Sequence, residues 1–123
     1  MNANELAQKK CVPCRGGTPA LSADQAKIYL AAVPEWRVSA DGKQIARTFT
    51  YKDFIQAMKF VNKVAEVAEE QGHHPDIHIH WNKVELVLWT HSIGGLHEND
   101  FVMAAKLDKV WGGRGKSVEG GGG

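Results

Sequence analysis

The chain has 123 residues, enough for one domain with a single core and too few for two. Its 15 Lys and Arg against 14 Asp and Glu leave almost no net charge, which argues against nucleic acid or an anionic membrane as a direct partner. No apolar run approaches a bilayer span, and MNANELAQKKC carries no hydrophobic signal segment, so the expected location is cytoplasmic, with no membrane partner.

Residues 1–20 read as an N-terminal arm carrying the only two cysteines, Cys11 and Cys14, in a CxxC. Half a zinc site, a redox pair and a simple part of an ordered arm are the three readings. The last is favoured: no second CxxC completes a zinc site, and a polar leader stands where a redox motif needs a buried strand. Residues 21–112 form the domain. Ser22 with Gln25 three residues on is a capping box, opening a short helix that Pro34 ends. Trp36 to Val38, the turn Ala40-Asp41-Gly42-Lys43 and Gln44 to Thr50 predict a hairpin, although Arg47 shares a face with Ile45 and Phe49. Phe54, Met58, Val61, Ala65 and Ala68, widened by Ile55 and Val64, predict a helix from Asp53 to about Gln71, stopped by Gly72.

A second hairpin follows, with Ile77, Ile79 and Trp81 on one side, His78 and His80 on the other, a turn at Asn82-Lys83 and a return strand from Val84 to His91. Phe101, Ala104, Ala105 and Leu107 carry a last helix through Val110, starting near His97, where Ser, Thr, Asp or Asn would be the better cap. Residues 113–123 read as a flexible Gly-rich tail. The expected fold is α+β: an antiparallel four-stranded sheet with three helices on one face, in the order α-β-β-α-β-β-α.

This scaffold gathers histidines. His73 and His74 follow the helix stop, and Pro75 forces an extended exit. Antiparallel pairing brings His91 back beside them, so three imidazoles meet at one sheet edge. Glu69 lies near the end of the same helix, and Asp100 lies in the first turn of the last one, where a carboxylate is favoured. His78 and His80 read as outward-facing strand residues.

Glu69-x-x-x-His73-His74-Pro75, Trp81, His91 ten residues later and Asp100 nine after that resemble the signature of the pterin-4a-carbinolamine dehydratases. The segment Lys9 to Gly17 and the stretch Gly94 to Phe101 are similar to bacterial members. The resemblance implies removal of water from 4a-hydroxytetrahydropterin to give quinonoid dihydropterin, the recycling step after an aromatic amino acid hydroxylase. It implies His73, His74, His91 and Asp100 as the catalytic set, with Glu69, Trp36, Thr90 and Ser92 at the pterin, and a homotetramer built as a dimer of dimers.

The residue types suit that chemistry. Losing a 4a-hydroxyl needs one proton delivered to oxygen and another taken from a ring nitrogen, and imidazole does either near neutrality. His74 and His91 are the expected proton carriers, with His73 orienting the pterin. No metal and no organic cofactor is expected. Each site residue also has a plainer role: His73 and His74 as a helix cap, Asp100 as a first-turn carboxylate, Glu69 as a solvated residue, Trp36 and Trp81 as core. A histidine-cluster metal-binding protein and a non-catalytic protein-interaction module are the alternative functions.

Overall fold

The computed structural model describes residues 1–13 and 16–112. Cys14, Arg15 and the glycine-rich tail lie outside the described residues. The chain runs α1 (Ala3–Gln8), α2 (Ala23–Leu30), β1 (Arg37–Val38), β2 (Ile45–Thr50), α3 (Phe54–Gln71), β3 (Asp76–His80), β4 (Lys83–Leu88) and α4 (Glu98–Gly112), with a 3-10 turn at His91–Ile93. The fold is the expected α+β arrangement with one more helix, because the arm itself begins helical. In α1 the Asn2 side chain accepts from the Glu5 amide while the Glu5 side chain accepts from the Asn2 amide, and Leu6 is fully buried.

The sheet order is β1-β2-β4-β3, every pair antiparallel. Register decides the faces. Ile45 lies opposite Leu88, Phe49 opposite Val84 and Ile77 opposite Leu86, so these share the face against α3 and α4. His78 opposite Glu85 and His80 opposite Lys83 fall on the other face and are exposed, as alternation requires. The hairpin turn is Trp81-Asn82, one residue earlier than expected. Trp81 takes φ 52 and is 66% exposed, so it joins neither sheet face nor core.

The helix α3 starts and stops where the sequence predicts. Asp53 accepts from the Gln56 amide at its N-terminus, and Gly72 ends it at φ 65, the left-handed conformation glycine tolerates best. Its buried face meets the expected stripe at Val64 and Ala68 but is rotated from the rest of it: Ala57 and Phe60 also face inward, while Phe54 and Ile55 are exposed. Among the described residues no helix is long and apolar enough to cross a membrane.

Arg47, the cation on an apolar strand face, meets a partner there. Its guanidinium donates to Asp108 at 2.7 Å and lies 4.5 Å from the centre of the Phe49 ring, and the Trp36 indole donates to the same Asp108 oxygen at 2.8 Å. This cluster ties β2 to α4. Asp108→Ala is expected to cost about 2–3 kcal/mol in urea denaturation, since it strands a mostly buried guanidinium. Burial pushes the Asp108 carboxyl up from its ordinary value of 3.8, against the pull of Trp36 and Arg47. A raised folded-state value means its stabilising contribution is complete below 3.8 and is lost as pH rises through the raised value. The wild type's advantage over Asp108→Ala should therefore widen as pH falls from neutral towards acid; an advantage that narrows contradicts this account.

Candidate active site

Two chain reversals at one end of the sheet make the site. At the first, the amides of Gly72 and His73 both donate to the Ala68 carbonyl, which turns the chain off α3 and presents His73 and His74. At the second, Thr90 and Gly95 pair across a loop, Thr90 N–H donating to Gly95 O at 2.9 Å, and His91 and Ser92 ride on the 3-10 turn inside it. Gly95 is required: a Cβ there would stand 2.9 Å from that of Ala20. Between the reversals lies a cavity of about 330 Å³, at the small end for ligand pockets. Five expected residues, His73, His74, Thr90, His91 and Ser92, line it together. Because the last strand stops at Leu88 and not at His91, the third imidazole arrives on a turn beyond the strand.

Asp100 lies beneath them, wholly buried. Its Oδ1 is 2.6 Å from His73 Nε2, and its Oδ2 accepts from the Thr90 hydroxyl at 2.9 Å and the His97 amide at 3.0 Å. An ionised carboxylate only accepts, so His73 presents Nε2–H to Asp100 and turns Nδ1 away from it. The same residues explain the start of α4. The His97 ring accepts from the Asn99 amide through Nδ1 at 3.0 Å, doing the work of a Ser or Asp cap, while Asp100 reaches back to the His97 amide as the acid of a capping box. One carboxylate thus caps the helix and fixes a catalytic candidate.

The other imidazoles are freer. His74 Nε2 is 2.6 Å from Glu69 Oε2, and both side chains are exposed, at 59% and 79%, so Glu69 aims the ring without burying it. His91 is exposed and stacks on Trp89 with ring centres 3.9 Å apart. The Trp89 indole donates to Asp76 at 3.4 Å. Trp89 and Asn99 line the cavity as well and were not singled out from the sequence. Trp89 directly follows an apolar strand, where core is the default reading; its step from Leu88 in a period of two was the available signal.

Trp36 is not brought to this cavity. It is 2% exposed, packs edge-on against Phe49 and bonds Asp108. The arm arrives in its place: Cys11, Val12 and Pro13 line the cavity. Burial pushes the Cys11 thiol up to about 11, so near neutrality it is a protonated thiol and a poor nucleophile.

An imidazole-lined pocket of this size, with a buried carboxylate bonded to two of its lining residues, gives this small α+β protein a site fit for a compact ligand. The sequence pattern of the Pterin 4 alpha carbinolamine dehydratase family matches residues 19–110, and the chain belongs to that family. A relative from Saccharophagus degradans assigned to the pterin-4-alpha-carbinolamine dehydratases is 49% identical over 109 residues, 87% of this chain and 96% of its own. One from Methylococcus capsulatus with the same assignment is 46% identical over 110 residues, 89% and 96%. A crystal structure described as a transcriptional coactivator/pterin dehydratase from Brucella melitensis superposes with TM-score 0.71 at 33% identity, covering 74% of this chain and 97% of that one. A pterin dehydratase-like protein described as a RuBisCO assembly factor in the alpha-carboxysome superposes with TM-score 0.56 at 25% identity, covering 63% and 90%.

Proposed function

We propose that this hydro-lyase removes water from 4a-hydroxytetrahydropterin to give quinonoid dihydropterin, with histidines as acid and base. The observation that carries the reading is the convergence of His73, His74 and His91 on one small cavity. In this mechanism one imidazole protonates the departing 4a-oxygen, the C–O bond breaks, and a second imidazole takes the proton from a ring nitrogen, so that water leaves and the new double bond forms. His74 and His91 are the carriers, because both are exposed and can exchange protons with solvent between turnovers. His73, pinned by Asp100, orients the pterin, with Thr90 and Ser92 beside it. Acid and base catalysis of this kind gives about 10² to 10⁴-fold, enough for an adduct that already dehydrates unaided.

The chemistry calls on side chains alone. Turnover on protein of measured metal content is therefore expected to survive exhaustive chelation. Activity lost on chelation and restored by stoichiometric zinc would overturn the proton-carrier reading in favour of a metal site. The placement of this step is cytoplasmic, downstream of an aromatic amino acid hydroxylase, in pterin cofactor recycling.

We also propose a homotetramer, a dimer of dimers. Strand β3 is an edge of the sheet among the described residues, and Phe54 and Ile55 leave an apolar surface on α3, 47% and 61% exposed. Light scattering at micromolar concentration should give a tetramer mass. A monomer mass contradicts it.

A further inference from the structure

We infer that Cys11 to Pro13 is the wall that completes the ligand pocket, and that Asn99 and Gln71 are positioning residues that latch it in place. This rests on the pterin reading above. Side chains hold the segment at successive points. Lys9 Nζ donates to Glu98 at 2.7 Å, and the Cys11 amide donates to the Gln71 side-chain oxygen at 2.9 Å. Asn99 then grips Val12 from both sides: its Oδ1 accepts from the Val12 amide at 3.0 Å, and its Nδ2 donates to the Val12 carbonyl at 2.7 Å. Asn99 is only 4% exposed, so this amide is buried and spends its donor and acceptor on one backbone residue.

The latch points adjoin the catalytic candidates. Gln71 is two residues before His73, and Asn99 immediately precedes Asp100. The segment therefore joins the end of α3 to the start of α4 alongside the cavity it lines. Packing explains only part of this. Cys11 packs partly against the core, but Val12 is 55% exposed and Pro13 is exposed, so those two residues bury little of their own apolar surface there. What they offer is apolar surface in a cavity otherwise dominated by imidazoles, hydroxyls and an amide, where Trp89 is the other large apolar contributor. A flat heterocycle needs such surface to be held.

The wall should act on binding more than on the proton steps, because none of its side chains donates or accepts in them. Two variants separate latch from wall. Asn99→Leu removes both bonds to Val12; Val12→Gly keeps the backbone latch and removes the apolar side chain. For each, amide hydrogen exchange of residues 9–12, kcat and KM with fresh carbinolamine, and fluorescence titration with unreactive 7,8-dihydrobiopterin are measured. In Asn99→Leu, arm exchange should accelerate and KM and the dihydrobiopterin Kd should rise about tenfold, with kcat within about threefold of wild type. In Val12→Gly, exchange should stay slow while KM and Kd rise about three- to tenfold. An Asn99→Leu arm that exchanges faster with unchanged KM and Kd overturns the inference, as does a fall confined to kcat. If Asn99→Leu fails to fold, Val12→Gly decides alone: unchanged KM and Kd overturn the wall. A wild type no faster than the spontaneous reaction sinks the pterin reading and this inference together.

Discussion

Asp100→Asn is expected to lower kcat by about 10² to 10³-fold while the protein stays folded. The asparagine oxygen can take the place of Oδ2 and keep accepting from the Thr90 hydroxyl and the His97 amide. The helix cap then survives, and the stability loss should stay near 1 kcal/mol. Facing His73, however, an amide donor replaces a carboxylate acceptor. His73 Nε2 must then accept, its proton moves to Nδ1, and the ring presents the opposite hydrogen-bonding edge to the pterin. Asp100→Ala should show the other half of the residue's work. Without the carboxylate, a buried Thr90 hydroxyl and a helix-start amide lose their partner, at about 2–4 kcal/mol in urea denaturation. A folded Asp100→Asn protein with wild-type kcat would remove Asp100 from the proposed mechanism.

His91→Ala is expected to lower turnover at least tenfold with stability changed by less than about 1 kcal/mol. The ring is exposed and rests on Trp89, so its removal opens no core cavity. The backbone of the loop is fixed elsewhere, by the Thr90–Gly95 pairing and by Gly94 at φ 65. Loss of activity in a folded protein would thus report chemistry and not collapse. Wild-type turnover in the same variant would leave His74 as the sole carrier and contradict the two-carrier assignment.

Local signals made much of this legible in the sequence. Ser22 with Gln25 and Gly72 after Gln71 set helix ends that depend only on neighbouring residues. The alternation of Ile77 to His80 set the strand faces, since a period of two leaves no choice. The buried face of α3 was less legible. Val64 and Ala68 of the expected stripe are buried, but Ala57 and Phe60 form an adjacent apolar line beside Phe54, Ile55, Met58 and Val61, and periodicity cannot say which line meets the sheet. Helix α1 is six residues, too short for a period, although Asn2 and Glu5 already had capping-box spacing.

The site divided along the same line. Its histidines were found from spacing and hairpin geometry, and the cavity gathers them. The Asn99 grip on Val12 joins positions 87 apart and follows no local rule. The His97 cap was missed because imidazole is outside the usual set of capping side chains, so a fitting helix start read as a poor one. Arg47, the irregular residue in its strand, proved to mark the partner waiting on α4.

The central claim is that these imidazoles speed the loss of water from a pterin carbinolamine. Stopped-flow absorbance on freshly generated 4a-hydroxytetrahydropterin, with and without the protein, measures that directly. Formation of quinonoid dihydropterin should be faster with protein, in proportion to its concentration. A rate equal to the spontaneous one at every protein concentration would contradict the account.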